Sequence, residues 1–225
     1  MDRLQAYTTS RPDICAMVPE NALLILDLGC SDGSLGAALK QMGKNRRVYG
    51  IELSSELACI AESRLDMVIV EDLNHENCLA KFADERFDCV VAADVLEHLV
   101  APERLLAQIT NIMADNATLI VSLPNIRHHS AFTSIYLAGR FPRRDRGIFD
   151  YNHLRWFTLK DARYLLQSAG FTIEAEHYTL RVGDKGSGLI NKIALRTLSP
   201  IASFAPVREF MTYQFVLRAH NKCHG

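Results

Sequence analysis

An apolar run, Ala22 to Leu26, leads directly into a loop of sequence Asp-Leu-Gly-Cys-Ser-Asp-Gly-Ser-Leu-Gly at residues 27–36. Glycine permits backbone conformations that other residues rarely adopt, and it lets a ligand approach the amides that open the next helix. The junction therefore predicts the first strand and helix of an α/β fold with a ligand-binding loop. The alternative is a ligand-free turn in which Asp32 only caps the helix.

Two ligand classes use such a junction, namely dinucleotides and S-adenosylmethionine. The dinucleotide pattern G-x-G-x-x-G would need glycine at positions 29, 31 and 34, but the chain has Ser31 and Ser34. The pattern acidic-x-G-x-G-x-G finds Asp27, Gly29 and Gly33, with Ser31 at its middle glycine. The two aspartates of the loop would repel a pyrophosphate but favour a ligand of net positive charge. The loop thus favours S-adenosylmethionine.

Composition sets limits on the class of protein. A chain of 225 residues, 48% hydrophobic and 23% charged, predicts one soluble α/β domain. The net charge of −1 gives no general attraction to nucleic acid or an anionic membrane. The six cysteines show no metal-binding or C-x-x-C spacing, so a reduced, cytoplasmic setting without a metal is expected. We expect neither a signal peptide nor a membrane span.

Strand and helix patterns alternate from residue 22 to 123, which is typical of a parallel sheet covered on both faces. The predicted strands are 23–28, 47–53, 67–70, 87–93, 118–123, 171–178 and 211–219, and the predicted helices are 34–42, 55–64, 102–114 and 158–170. We expect a single domain, 1–225, with a cofactor-binding half at 20–123 and a substrate lid at 124–157. Residues 158–220 complete the domain and contain an insertion at 181–209. In this insertion, the apolar residues from Leu189 to Leu198 have helical spacing.

Other segments extend the pattern of the loop. Glu52 ends the second strand and Asp72 follows the third, while residues 96–99 read Leu-Glu-His-Leu after the fourth. Residues 147–158 have the pattern Gly-x-x-Asp-x-x-His-x-Arg-Trp-Phe-Thr. Together these segments resemble class I S-adenosylmethionine-dependent methyltransferases, most closely the small bacterial branch that methylates metabolites, quinone precursors and surface-glycan intermediates.

The resemblance implies a Rossmann-like three-layer sandwich with a seven-stranded sheet of order 3-2-1-4-5-7-6 and strand 7 antiparallel. S-adenosylmethionine, released as S-adenosylhomocysteine, would lie at the carboxyl ends of the strands. Glu52 would accept hydrogen bonds from the ribose, and Asp72 from the adenine amino group; the alternatives are a solvated acid and a turn aspartate. The expected cofactor-binding residues are Asp27, Gly29, Cys30, Ser31, Gly33, Glu52, Leu53, Asp72, Leu73, Ala93 and Asp94.

Methyl transfer to oxygen or nitrogen usually requires removal of a proton, for which histidine is suited. His98 follows the fourth strand, His128 the fifth, and His153 lies in the lid; these three are the candidate catalytic residues. A structural role is an equal alternative for His98 and the more probable one for His128. Because Arg155 would disfavour an imidazolium beside it, His153 is favoured as an acceptor contact rather than a base.

Within the lid, residues 126–157 contain six arginines but only two acidic residues. The interleaved aromatic residues are Phe132, Tyr136, Phe141, Phe149, Tyr151 and Trp156. Such a stretch can bind a carboxylate or phosphate and stack against a ring or sugar. The expected acceptor contacts are Asn125, Tyr151, His153 and Arg155. The alternatives are a solvated basic loop and an RNA surface, and the neutral overall charge disfavours RNA.

The sequence thus predicts a methyltransferase acting on an oxygen, less favourably a nitrogen, of a small or lipid-linked anionic metabolite. Two alternatives are an NAD(P)-dependent oxidoreductase and a non-catalytic methyltransferase-like binding or regulatory protein. Segment 181–209 could cover the site, form a homodimer contact or meet a membrane surface peripherally.

Overall fold

A seven-stranded sheet of order β3-β2-β1-β4-β5-β7-β6 forms the centre of the protein. The computed structural model describes residues 11–181 and 204–221. Strands β1 to β5 pair in parallel, whereas β7 runs antiparallel to both β5 and β6. The Rossmann-like fold and strand order predicted from the sequence are confirmed.

The strands are β1 (Leu24–Leu28), β2 (Arg47–Glu52), β3 (Met67–Val70), β4 (Phe87–Ala93), β5 (Met113–Pro124), β6 (Phe171–Leu180) and β7 (Thr212–Asn221). The α-helices are α1 (Pro12–Cys15), α2 (Ser34–Met42), α3 (Ser55–Ala61), α4 (Pro102–Ile112), α5 (His129–Phe132), α6 (Leu159–Ser168) and α7 (Ala205–Met211). Short 3-10 turns occur at Ala80–Phe82 and Leu96–His98, and a π-helical turn occurs at Thr133–Leu137.

Two apolar cores, one on each side of the sheet, explain why these elements pack as three layers. The larger core receives Leu105, Leu106 and Ile109 from α4, because the spacing of these residues places them on one helix face. The other core receives Leu35 and Leu39 from α2. The central strands β1 and β4 are buried on both faces, which explains their nearly continuous apolar sequences.

Most predicted boundaries agree with the structure to within three residues. The β5 strand differs more, because it begins at Met113 rather than 118. A register shift between Phe87 and Cys89 of β4 allows Met113 to pair with Phe87 ahead of the regular ladder. Helices α1, α5 and α7 were not predicted, and each has only four to seven residues.

Much of the insertion predicted at 181–209, including the helical pattern from Leu189 to Leu198, lies outside the described residues. The predictions of a dimer contact or membrane contact for this segment therefore stay predictions. Within residues 11–181 and 204–221, the helices are too short or too polar to cross a bilayer.

The aromatic cluster of Tyr49, Phe82 and Phe87 makes a test of the larger core. The Phe87 ring is fully buried, with its centroid 5.5 Å from that of Phe82 and 5.9 Å from that of Tyr49. We predict that Phe87→Ala lowers the free energy of unfolding by about 3–5 kcal/mol, because it leaves a cavity. The control is Tyr164→Ala on the exposed face of α6, which should change the free energy of unfolding by less than about 0.5 kcal/mol. Urea denaturation measures both values. Similar losses in both variants would contradict this role for Phe87.

Candidate active site

The glycine loop between β1 and α2 contains three residues in the left-handed backbone region. These are Gly29, Ser31 and Gly33, with φ angles of 69°, 52° and 78°. A Cβ atom on Gly29 would lie 3.0 Å from Val95, and one on Gly33 would lie 3.1 Å from the Cα of Ala61. The two glycines therefore meet both a conformational and a steric requirement. Ser31 adopts the same conformation at a cost of about 1 kcal/mol.

Glu52, at the end of β2, holds this loop in place. Its carboxylate accepts a hydrogen bond from the Ser31 amide at 2.9 Å and another from the Ser54 amide at 2.9 Å. Leu53, beside it, is exposed. The carboxylate therefore lies next to the loop backbone, where the sequence predicts the ribose hydroxyls.

Asp27, the last acid of β1 before the loop, is buried. Its Oδ2 atom has no hydrogen-bond partner among the described residues. Burial, assisted by the negative charge of Glu52, raises the pKa of Asp27 to about 7. A group that donates a hydrogen bond or carries positive charge would stabilise the ionised form of Asp27.

Asp32 lies before Gly33, the N-cap residue of α2, and contacts the first residue of the helix instead of capping it. It accepts hydrogen bonds from the Ser34 amide at 3.1 Å and from the Ser34 hydroxyl at 2.9 Å. It also forms an ion pair with Arg64, which largely neutralises its charge. The electrostatic preference of the loop for a cation therefore depends on Asp27 and Glu52 rather than on Asp32.

Three further predicted residues lie around the loop. Cys30 is buried with its sulfur against the sheet, where a Cβ on Gly50 would lie 2.5 Å from that atom. Only the Cys30 backbone is therefore positioned to meet a ligand. Asp72 and Leu73 follow β3; Asp72 accepts hydrogen bonds from the Asn74 amide and side chain at 2.8 and 3.1 Å, and Leu73 packs against the larger core.

At the end of β4, Ala93 is partly buried and Asp94 adopts a left-handed conformation with φ of 59°. The carboxylate of Asp94 accepts hydrogen bonds from Arg11 at 2.6 Å, from Ser122 at 3.2 Å and from Gln214. This network joins the chain before β1 to the carboxyl end of β4, the end of β5 and the start of β7. It fixes the carboxylate where the sequence predicts the sulfonium of the cofactor.

Two candidate catalytic histidines converge with Glu97 just beyond Asp94. Each of Glu97, His98 and His153 contributes one nitrogen or oxygen atom, and these three atoms lie within 4.8 Å of one another. Nδ1 of His98 lies 3.1 Å from the Asn152 carbonyl, and Nδ1 of His153 lies 3.2 Å from the Ile148 carbonyl. Because a carbonyl only accepts, each Nδ1 carries the hydrogen and each neutral ring has its lone pair on Nε2. Burial, and next the neighbouring His98, lower the pKa of His153.

The third candidate, His128, lies apart from this trio and is committed to other contacts. Its Nε2 donates to the Arg181 carbonyl at 2.9 Å, and its Nδ1 contacts the Ser130 hydroxyl at 2.8 Å. Burial lowers the pKa of His128 to about 4. Asn125 is also buried, and its side-chain amide donates to the carbonyls of Glu209 and Thr212. These contacts favour structural roles for both residues.

The lid contains the other predicted acceptor contacts. Tyr151 is 47% exposed, and the Arg143 guanidinium lies 5.6 Å from its ring centroid. Arg155 donates to the Leu99 and Val100 carbonyls, so its guanidinium connects the lid to the loop after β4. The backbone amide of Arg155 also donates to the Glu97 carbonyl at 3.1 Å. The lid is thus held close to the end of β4.

Residues 13–176 match the family model described as a methyltransferase domain. The chain belongs to this family. The match covers most of the chain, and together with the fold it identifies a class I S-adenosylmethionine-dependent methyltransferase. The alternatives of an oxidoreductase and a non-catalytic protein are therefore set aside.

Curated relatives are longer than this methyltransferase. It is 28% identical over 184 residues to the bifunctional methionine biosynthesis protein MetXA/MetW of Rhodopirellula baltica, covering 73% of this chain and 29% of the relative. It is 30% identical over 115 residues to the ubiquinone biosynthesis O-methyltransferase of Azorhizobium caulinodans, covering 50% of this chain and 45% of the relative. The chain thus spans less than half the length of either relative.

Solved structures share the fold of the methyltransferase. One is a SAM-dependent methyltransferase from Archaeoglobus fulgidus, with a TM-score of 0.66, 16% identity and coverage of 98% of this chain and 95% of the other. Another is the magnesium protoporphyrin IX methyltransferase of Synechocystis with bound SAH, with a TM-score of 0.60, 19% identity and coverage of 97% and 83%.

The site fits S-adenosylmethionine, the cofactor of this family. Asp27 Oδ2 and Ser31 Oγ are buried without a hydrogen-bond partner in the described part of the chain. Acidic side chains also occur at the ends of β2 and β4, where a positively charged ligand is stabilised. The roles predicted for individual residues toward the cofactor stay predictions.

Sequence reasoning did not select Arg11, Ser122, Gln214 or Glu97 as site residues. Glu97 had a signal, because it is a charged residue that directly follows the apolar pair Val95 and Leu96 after a buried strand. Arg11 had none, since it precedes the first strand and reaches Asp94 only through the folded chain.

Gly33 and Gly139 form a matched pair for testing the loop. Both have positive φ, but a Cβ on Gly33 would press on α3, whereas one on Gly139 would meet nothing within 4 Å. We predict that Gly33→Ala weakens binding of S-adenosylhomocysteine at least tenfold, measured by calorimetry. Gly139→Ala should lose about 1 kcal/mol of stability through backbone strain and retain affinity. Equal affinities of the two folded variants would contradict the role of the loop.

The raised pKa of Asp27 makes a second test. The folded protein holds this proton up to about pH 7, whereas the unfolded chain releases it near pH 3.9. The contribution of Asp27 to stability is therefore complete below about pH 4 and is lost as pH rises to about 7. We predict that the free energy of unfolding of the wild type falls relative to that of Asp27→Asn across this range, then levels off. Parallel urea-denaturation curves from pH 4 to 8 would contradict the raised pKa.

Proposed function

We propose that this methyltransferase transfers the methyl group of S-adenosylmethionine to an oxygen atom of a small or lipid-linked anionic metabolite in the cytoplasm. The observation that carries the proposal is the contact of His98 Nδ1 with the Asn152 carbonyl at 3.1 Å, which leaves Nε2 as the ring nitrogen that can accept a proton. His98 is only partly buried and ends the 3-10 turn Leu96–His98, which follows β4 closely. An acceptor hydroxyl placed beside the methyl group can lose its proton to this nitrogen.

His98 is better suited to this role than the other two candidate histidines. His153 is almost fully buried, and both ring nitrogens of His128 have hydrogen-bond contacts. Among the described residues, Nε2 of His98 has no hydrogen-bond partner. We assign His98 as the contact with the acceptor's proton, and His153 as its neighbour in the wall of the site, at a ring-centroid distance of 4.8 Å.

The charge of the lid supports an anionic acceptor. The side chains of Arg140, Arg143, Arg144 and Arg146 are exposed on the lid, and the Arg143 guanidinium lies 5.6 Å from the ring centroid of the exposed Tyr151. An exposed guanidinium can bind a carboxylate or phosphate through two hydrogen bonds, and the Tyr151 ring offers a surface for stacking. This arrangement supports an acceptor that combines a negative charge with a ring or sugar.

The names of several relatives support oxygen as the attacked atom. Ubiquinone biosynthesis O-methyltransferases from bacteria, fungi and plants match about half of this chain. We propose oxygen methylation on these grounds together with the geometry of His98.

A panel of paired acceptors tests the proposal. Hydroxybenzoates and the corresponding aminobenzoates, each with its uncharged amide counterpart, would be incubated with methyl-labelled S-adenosylmethionine and analysed by mass spectrometry. We expect labelled ethers from hydroxyl compounds, with the carboxylates at least tenfold better than the amides. Label recovered only on nitrogen would contradict oxygen methylation, and a preference for the amides would contradict the anionic acceptor.

A further inference from the structure

Glu97 is buried in an unusual way. Its side chain is 0% exposed, and neither carboxyl oxygen has a hydrogen-bond partner in residues 11–181 and 204–221. An ionised carboxylate in such a place loses several kcal/mol of hydration free energy unless a positive charge offsets the loss. Burial, followed by the negative charge of Asp94, therefore raises the pKa of Glu97 well above its usual range. Burial therefore favours the protonated form of Glu97 unless a cation lies beside it.

The groups around Glu97 explain why it lacks a permanent counter-ion. Asp94 and Asp150 bring negative charge, and the guanidinium of Arg11 is already paired with Asp94 and Asp13. His153 lies closest, with its Nε2 atom 3.9 Å from Oε1 of Glu97, and it is held neutral by burial. A positively charged ligand at the end of β4 would change this balance toward the carboxylate.

The position of Glu97 connects it to the reaction. It lies in the 3-10 turn Leu96–His98, three residues beyond Asp94 and next to the exposed edge of the trio, His98. Its backbone carbonyl accepts hydrogen bonds from the amides of Leu154 and Arg155 at 2.9 and 3.1 Å, so the lid closes over it. The carboxyl group is therefore shielded from water but close to the histidine that meets the acceptor.

We propose that Glu97 is a positioning residue that stores the proton released by methyl transfer, acting through His98. The inference rests on the proposed transfer to an oxygen atom. The carbon–sulfur bond breaks with its electron pair left on sulfur, an oxygen–carbon bond forms, and the acceptor's proton goes to Nε2 of His98. The ring of His98, which has a nitrogen within 4.8 Å of a Glu97 oxygen, then turns toward the carboxylate, passes this proton to it and returns to its neutral form.

This sequence keeps the buried region electrically balanced. Glu97 is a carboxylate while the sulfonium charge lies at the end of β4, and it becomes a neutral acid when that charge is consumed. The burial that makes ionised Glu97 unfavourable in isolation thus favours proton uptake after transfer. His153 stays neutral and holds the ring of His98 in an edge-to-face contact, with an interplanar angle of 70°.

Calorimetry of cofactor binding tests the inference without an acceptor. S-adenosylmethionine and S-adenosylhomocysteine differ by the methyl group and its positive charge. Binding of each would be measured at pH 7 in phosphate and in Tris, whose different ionisation heats report the protons released. We expect the wild type to release up to about one proton more with S-adenosylmethionine. Glu97→Gln should bind both ligands without this difference, while Glu76→Gln, exposed on the surface, should retain it.

Several results would overturn the inference. One is equal proton release with the two ligands in the wild type. Another is a difference in proton release that persists in Glu97→Gln, because the proton would then belong to another group such as Asp27. A divalent metal ion bound stoichiometrically to the wild type and lost in Glu97→Gln would make the carboxyl group a ligand instead. If Glu97→Gln does not fold, infrared spectra of Asp27→Asn, which lacks the other buried acid of raised pKa, decide. A protonated-carboxyl band should be present with S-adenosylhomocysteine and absent with S-adenosylmethionine, and identical spectra would refute the role.

These outcomes are separate from the choice of acceptor atom. Label found only on nitrogen would contradict the proposed function, and the proton release on cofactor binding would still report the state of Glu97. Conversely, ether products together with equal proton release would leave the proposed function intact and refute the proton storage.

Discussion

The carboxylate of Glu52 accepts hydrogen bonds from the backbone amides of Ser31 and Ser54, each at 2.9 Å. These two bonds join the glycine loop after β1 to the start of α3 after β2. They hold Ser31 in a left-handed conformation that glycine would adopt more easily. The parallel pairing of β1 and β2 brings the two loops to the same edge of the sheet, so the position predicted for the cofactor follows from strand order.

The distribution of charge along this edge follows from the same arrangement. Acidic residues end or follow β1, β2 and β4, and each is stabilised differently. Glu52 is held by backbone amides, Asp94 by Arg11, Ser122 and Gln214, and Asp27 by keeping its proton up to about pH 7. Glu97 extends this series inward, and burial raises the pKa of its carboxyl group well above the usual range. The site is therefore arranged for a ligand that brings positive charge and loses it during the reaction.

The parts of the fold that depend on local patterns could be predicted from the sequence, and those that depend on distant contacts could not. Helix α2 and strand β4 have the predicted bounds, because glycine ends the helix signal and a continuous apolar run marks a buried strand. The tight loop after β1 could also be predicted, because Gly29 and Gly33 mark its two turns in the sequence. The lid has no repeating pattern, since it is held by single contacts such as Asn125 to the Thr212 carbonyl and Trp156 to the Ile148 carbonyl. The contact of Arg11 with Asp94 joins residues that only folding brings together.

A crystal structure of the protein with S-adenosylhomocysteine tests the central claim most directly, namely that this edge of the sheet is the cofactor site. The ribose hydroxyls are predicted to lie within hydrogen-bonding distance of Glu52, the adenine amino group near Asp72, and the sulfur beside Asp94. The side chain of Glu97 should remain buried behind His98. A ligand bound away from the glycine loop, or one with its ribose distant from Glu52, would contradict the claim.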